Sequence, residues 1–261
     1  MKSAQLFVAV VALFACFGAS VAAKPVTERK NDLLVVKKVE PLGEGALCSL
    51  CDQFVSQGIN QVLNIILNLG VVGGCSTVCT KALENEPQWM TTVCSLACDV
   101  LGIKGFMALL DKFGKDIDPI YFCEVVKMCP VHDGGAARVD SVSVNPPSGP
   151  QGTTFDIEVL FTVMNQTSTG IVDVAIQCAD GLVLGSDQLS TGLAPGNYKA
   201  QFQLQAQPQG EDDDEGSMEP TEQFIPGNYI VEFTLCAGDC GSTYPHSGVY
   251  DSGSGSFSIT A

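Results

Sequence analysis

Histidine is nearly missing from this chain: 261 residues hold only His132 and His246. A serine or cysteine hydrolase needs a histidine oriented beside its nucleophile. Here His132 sits in a Pro-Val-His-Asp-Gly-Gly stretch and His246 in a Tyr-Pro-His-Ser turn, and no G-x-S-x-G elbow is present. Nothing nominates a pair of carboxylates either, so no set of side chains stands out to carry catalysis. A protein that is not an enzyme, with no catalytic residues, no cofactor and no metal, is the expectation. Basic residues are also scarce, 13 Lys and Arg against 29 Asp and Glu, which opposes attraction to nucleic acid or to anionic lipid. After the N-terminal stretch no run reaches the roughly 18 apolar residues that a membrane span requires. Val62 to Val72 is interrupted by Asn64, Asn68 and Gly70 and reads as a core helix.

What is present begins with a short basic start, an apolar run from Leu6 to Val21, and small residues Val21-Ala22-Ala23 before Lys24. That is the pattern of a secretory signal peptide over residues 1–23. Its removal discards Cys16 and leaves eleven cysteines, with twelve basic against twenty-nine acidic residues and a net charge of −17. A secreted, extracellular or endolysosomal destination is oxidising, so cysteines that could otherwise hold zinc are expected to pair with one another. Residues 24–45, with Pro25 and Pro41, read as a flexible leader or linker.

Residues 46–131 form the cysteine-rich part. C-x2-C at Cys48 and Cys51 mirrors C-x5-C at Cys123 and Cys129, and C-x3-C at Cys75 and Cys79 mirrors C-x3-C at Cys94 and Cys98. The periodicity is helical: in Leu47, Cys51, Phe54, Gly58, Val62, Ile65, Ile66 and Leu69, small or apolar residues recur at three and four. Residues four apart share a helix face, so a hairpin turning at Asn85-Glu86-Pro87 would pair Cys75 with Cys98 and Cys79 with Cys94. A further amphipathic stretch, Gly105 to Phe113, leads through Asp118-Pro119 into a last helix from Ile120 to Met128. Trp89, the sole tryptophan, lies by the hairpin turn and suits either a membrane interface or turn packing.

Past a linker at 132–137 the texture changes. Over 138–261, alternation appears in 139–144, 155–159, 172–176, 198–204, 229–235 and 257–259, bounded by Pro, Gly, Asn and Ser. This predicts an antiparallel two-sheet sandwich of immunoglobulin-like type. Pro-Gly-Asn-Tyr occurs twice, at 195–198 and 226–229, each time just before a strand, as a turn that plants a tyrosine at a sandwich corner. The run Glu211-Asp212-Asp213-Asp214-Glu215 has contiguous acids where a calcium loop needs alternating ligands, and reads as a solvated loop. Asn165-Gln166-Thr167 is a glycosylation sequon, with Asn165 the acceptor. Cys178, Cys236 and Cys240 leave an odd thiol, whose pairing stays open and which hints at assembly with another chain.

The cysteine pattern from Cys48 to Cys129 resembles the saposin-like (saposin B type) family, with two central bridges in place of the usual one. That resemblance implies a helical bundle joined Cys48 to Cys129 and Cys51 to Cys123, and lipid as its partner. The candidate lipid contacts are Phe54, Val62, Ile66, Leu69, Phe106, Leu109, Leu110 and Phe113, although periodicity alone equally allows a closed core. The bundle carries five lysines against eight acids, which disfavours lysis by charge attraction at neutral pH. An acid-triggered form, with Glu84, Glu86 and Asp111 neutralised, stays open. The whole arrangement, with Cys98-Asp99-Val100-Leu101-Gly102-Ile103, Asp118-Pro119-Ile120-Tyr121-Phe122-Cys123 and 148–155, resembles the countin proteins of amoebae. This implies a secreted component of a multi-protein factor that senses cell number, with other secreted proteins and a homo-oligomer as candidate partners. A competing reading is a membrane-perturbing defence or digestive effector active in acid.

Overall fold

The computed structural model describes residues 34–39, 45–69, 73–113, 117–207 and 223–261. Helices α1 (Ala46–Leu69), α2 (Cys75–Ala82), α3 (Gln88–Phe113) and α4 (Pro119–Val125) precede the strands β2 to β9. The segment read as a signal peptide, residues 1–23, and the acidic run 211–215 lie outside the described residues.

Each helix has a local cause. Turning into α1, Cys48, Cys51, Phe54, Val55, Ile59 and Val62 fall on one buried stripe at spacings of three and four. Asp118 caps α4 by accepting the Tyr121 N–H at 2.8 Å, and Pro119 occupies the first helical position, where no amide partner is lost. The predicted break between α3 and a separate 105–113 helix is instead a kink: Gly102 adopts φ +66, and helix resumes beyond it. Only glycine enters that region without strain. The last helix begins one residue earlier than expected and ends at Val125.

Disulfides join Cys48 to Cys129, Cys51 to Cys123, Cys75 to Cys98 and Cys79 to Cys94. The inner two cross-link α2 to α3 as a hairpin. The outer two tie the start of α1 to α4 and the turn after it.

The β region consists of two sheets. One has the order β1 (Leu34–Val39), β7 (Gly196–Gln205), β4 (Thr154–Asn165), β2 (Ala136–Asn145). The other runs β3 (Ser148–Pro150), β9 (Gly248–Thr260), β8 (Gly227–Ala237), β5 (Gly170–Gln177), β6 (Val183–Ser190). All named pairings are antiparallel except β3 with β9. Alternate residues point inward, as period-two strands demand: Phe155, Ile157, Val159 and Phe161 from β4 meet Val231, Phe233 and Leu235 from β8 in one core. Phe233 lies 5.9 Å from Phe161 and 6.3 Å from Phe202, so aromatic rings bridge the sheets. Both Pro-Gly-Asn-Tyr turns plant a corner tyrosine: Tyr198 donates to the Ala194 carbonyl at 2.7 Å and Tyr229 to that of Ile225 at 2.9 Å.

Residues 24–45, read above as a leader or linker, need correction. Within them Leu34–Val39 forms β1, a strand antiparallel to β7. The segment Leu-Val-Val-Lys-Lys-Val has apolar, β-branched content, but its flanking prolines and charges obscured it. Strands β3 and β6 were also not anticipated. Gly185, Ser186 and Asp187 interrupt the apolar alternation of β6, which is paired to β5 along its length and anchored in the core by Leu184.

Removing the bridges should reveal how they nest. With Cys51–Cys123 intact, breaking Cys48–Cys129 reopens a loop of only about eleven residues, which in the chain-entropy model costs about 3 kcal/mol. Breaking both opens the route to the inner pairs and raises the total to about 7 kcal/mol. Urea unfolding of C48A/C129A and of the quadruple variant, followed by the emission of Trp89, measures the bundle alone, since no tryptophan lies in the sheets.

Candidate functional site: the helical bundle and its joint with the sandwich

The bundle core is built from the four disulfides together with Phe54, Val62, Phe106, Leu110 and Phe122. Phe106 and Phe122 meet edge to face at 6.1 Å, which closes the second half of α3 onto α4. Of the candidate lipid contacts, Phe54, Val62, Phe106 and Leu110 are thus sealed inside the closed bundle. Ile66 and Leu109 are half-buried against it, while the side chains of Leu69 and Phe113 lie outside the described residues. Any contact of lipid with the sealed four requires the helices to part.

Other apolar side chains already face out: Leu67 is 79% exposed, Val100 52%, and Leu47 and Leu96 45% each. Leu96 and Val100 are four apart on α3 and so share a face. Gln88–Lys112 is the one helix among the described residues long and apolar enough to cross a membrane, with a mean hydropathy of 1.8. Two features set it apart from a simple span: the Gly102 kink divides it, and Cys94 and Cys98 bind it to α2. Trp89 packs half-buried on the core near the hairpin turn.

The bundle meets the sheets along α4 and the first turn of α1. Ser242 donates to the Asp118 carboxylate at 2.5 Å, and Tyr121 stacks on Tyr244 at 4.9 Å. The Pro130 carbonyl accepts both the Thr169 N–H and its hydroxyl, and the His132 N–H donates to Ser168. A side chain at Gly45 would collide with Thr191, so glycine permits the start of α1 to approach the sheet. Beside this joint a cleft of about 620 Å³ runs between Ser49, Asp52, Gln53 and Ser56 of α1 and Ile171, Asp187, Gln188 and Asp239 of the sheet region.

Two carboxyls, Glu124 buried and Asp173 half-buried, were not foreseen from the sequence. Glu124, on α4, is pushed up to about 7, first by burial, with Asp118 and Asp133 adding to the rise and His246 opposing it. Asp173 lies directly across from Asp187 on neighbouring strands. Burial, then Asp187, Asp239 and Glu232, raises it to about 6. Their signal was an acid inside an apolar run: Phe122-Cys123-Glu124-Val125-Val126 and Ile171-Val172-Asp173-Val174.

The remaining candidates are placed as follows. Among the described residues neither histidine ring bonds a serine or cysteine: that of His132 meets Gln166 at 3.0 Å and that of His246 meets Asp133 at 2.8 Å. Asn165 is exposed at the end of β4, its amide donating to Gly134, whereas Thr167 of the sequon is buried and its hydroxyl accepts the Leu193 N–H. Cys236 bridges locally to Cys240, and Cys178 is buried in the β core, its thiol donating to the Ile176 carbonyl at 3.7 Å.

A disulfide-laced helical domain followed by a β domain that supplies most of the second core defines a two-part protein with family matches of its own. Residues 46–127 match the countin N-terminal domain and 137–261 the countin C-terminal domain. Over 216 residues the chain is 39% identical to Countin-3 of Dictyostelium discoideum, covering 82% of this chain and 89% of that protein. Countin-1 and Countin-2 of the same organism are 36% and 33% identical, covering 82% and 83% of this chain and 77% and 79% of theirs. The chain belongs to the countin family.

Asp173 gives a signed test. Its folded value lies above the ordinary 3.8, so the folded state holds the proton more tightly. Stability therefore falls as pH rises from about 4 to about 6 and stays flat above. D173N removes that loss: at pH 8 the variant should gain about 2 kcal/mol over the parent, and at pH 4 almost nothing, by urea midpoints of the β domain.

Proposed function

We propose that this chain is a secreted, non-enzymatic signalling protein of the countin type, whose bundle engages a lipid or membrane surface while its β domain recruits other secreted proteins. The observation that carries this reading is the set of apolar side chains left outside a covalently clamped bundle: Leu96 and Val100 on one face of α3, and Leu67 on α1. A closed core would normally leave such a helix face polar. The cysteine framework supports assigning the bundle to the saposin-like type, and the two facing sheets support an immunoglobulin-like assignment for the β domain. The kinship with countins supports a place in an extracellular multi-protein factor through which cells sense group size, with self-association as one mode of assembly. In such a factor the lipid contact would hold the complex at a cell surface.

Because the chain is strongly acidic, adsorption through this face rests on apolar burial rather than on charge. In flotation with vesicles of pure phosphatidylcholine, or with one-fifth phosphatidylserine, the full chain should bind both at pH 7 and tolerate 0.5 M salt. Replacing both Leu96 and Val100 by Asp should weaken binding about tenfold or more, the cost of giving up two half-exposed apolar contacts and inserting charge. Failure to float, or no loss in the double variant, overturns the lipid reading. Release of an entrapped dye at pH 5 but not at pH 7 would instead establish the acid-active effector.

A further inference from the structure

Two acids of α4 are buried at the joint between bundle and sheets, and their surroundings differ. Asp118 is satisfied, accepting the Tyr121 N–H at one oxygen and the Ser242 hydroxyl at the other. Glu124 is 8% exposed, and its Oε1 is sealed from solvent without a hydrogen-bond partner. The groups facing it come from every element packed there: Asp118 on its own helix, Asp133 on the linker, His246 on the β8–β9 connection and, more weakly, Tyr250 on β9. His246 is itself held to Asp133 at 2.8 Å. A carboxylate placed here has an unbonded oxygen and two like charges for neighbours. Burying such a charge costs several kcal/mol, whereas the neutral acid is far cheaper to bury.

We propose that Glu124 is an acid latch on the joint: in its protonated form it lets bundle and sandwich close on one another, and on ionising it drives them apart. The latch is independent of what the bundle binds, because it acts on the junction and not on the outer faces of α1 and α3. Parting would free Tyr121, Tyr244, Ile120 and Ile171, now packed at or beside the joint, for contact with another protein.

The sign follows from linkage. In the closed joint the carboxyl titrates near 7; on a detached α4, in water, it returns toward 4.5. The closed form therefore binds the proton more tightly. Closure is strongest below about pH 4.5, weakens as pH rises to about 7, and is flat above. The full span corresponds to roughly a three-hundredfold change in the closing equilibrium.

The test uses the full chain and two amides that donate across the joint, those of His132 and Thr169. Their hydrogen-exchange protection, corrected for the intrinsic pH dependence, should fall at least tenfold between pH 5 and pH 8 while Trp89 emission stays constant. E124Q, which cannot ionise, should keep both amides protected at pH 8. Protection that is flat in the parent, or that falls equally in E124Q, overturns the latch. Should E124Q fail to fold, a carbon-13 titration of the Glu124 carboxyl in the unmodified protein decides: a midpoint near 7 sustains the latch, and one near 4.5 removes it.

Discussion

The covalent closure of the two ends of the helical region is what the rest of the architecture depends on. Cys48–Cys129 and Cys51–Cys123 fasten the start of α1 to α4 and to the turn after it, so the chain enters and leaves the bundle at one place. That place is also where the sheets begin. The approach of Gly45 to Thr191, the Asp118–Ser242 bond and the Tyr121–Tyr244 stack all lie within a few residues of these bridges. A joint so small could not hold its geometry if α4 were free to slide along α1. The outer disulfides thus fix the docking surface as much as the bundle itself. Leu67 stands nineteen residues along α1 from Cys48, about 28 Å away at helical rise. Contacts made there leave the joint untouched.

The inner pair has a different task. Cys75–Cys98 and Cys79–Cys94 bind only neighbouring helices and close short loops. They keep the first part of α3 against α2 whatever happens to the second part beyond Gly102. The second part, which holds Phe106 and Leu110, is closed onto α4 by the edge-to-face contact with Phe122.

Much of this was legible in the sequence, for reasons that can be named. Mirrored cysteine spacings and three–four periodicity encode helices and their neighbours directly, and the repeated Pro-Gly-Asn-Tyr fixed two corners. Strands with strict alternation, such as β4 and β8, announced themselves. What stayed hidden depends on partners far along the chain. Strand β1 is a strand because β7 offers it an edge, and β6 because β5 does. Which face of α1 is buried depends on where α4 is tied, so Phe54 and Val62 could serve equally as core or as contact until the bundle was closed. Glu124 and Asp173 look ordinary by type; their chemistry comes first from burial, which only the closed fold decides, and then from like charges brought near, Asp118 and Asp133 for Glu124 and, across a strand, Asp187 for Asp173.

Acidity and an apolar outer face pull in opposite directions, and their balance constrains how such a protein can work. Net negative charge repels the chain from anionic bilayers over a screening length of about 8 Å in physiological salt. Apolar burial acts only at contact. On the lipid reading proposed above, approach to a membrane would be unsteered, and only the contact itself would be favourable. That combination suits a protein carried to its surface as part of a larger assembly better than one that must find a membrane alone.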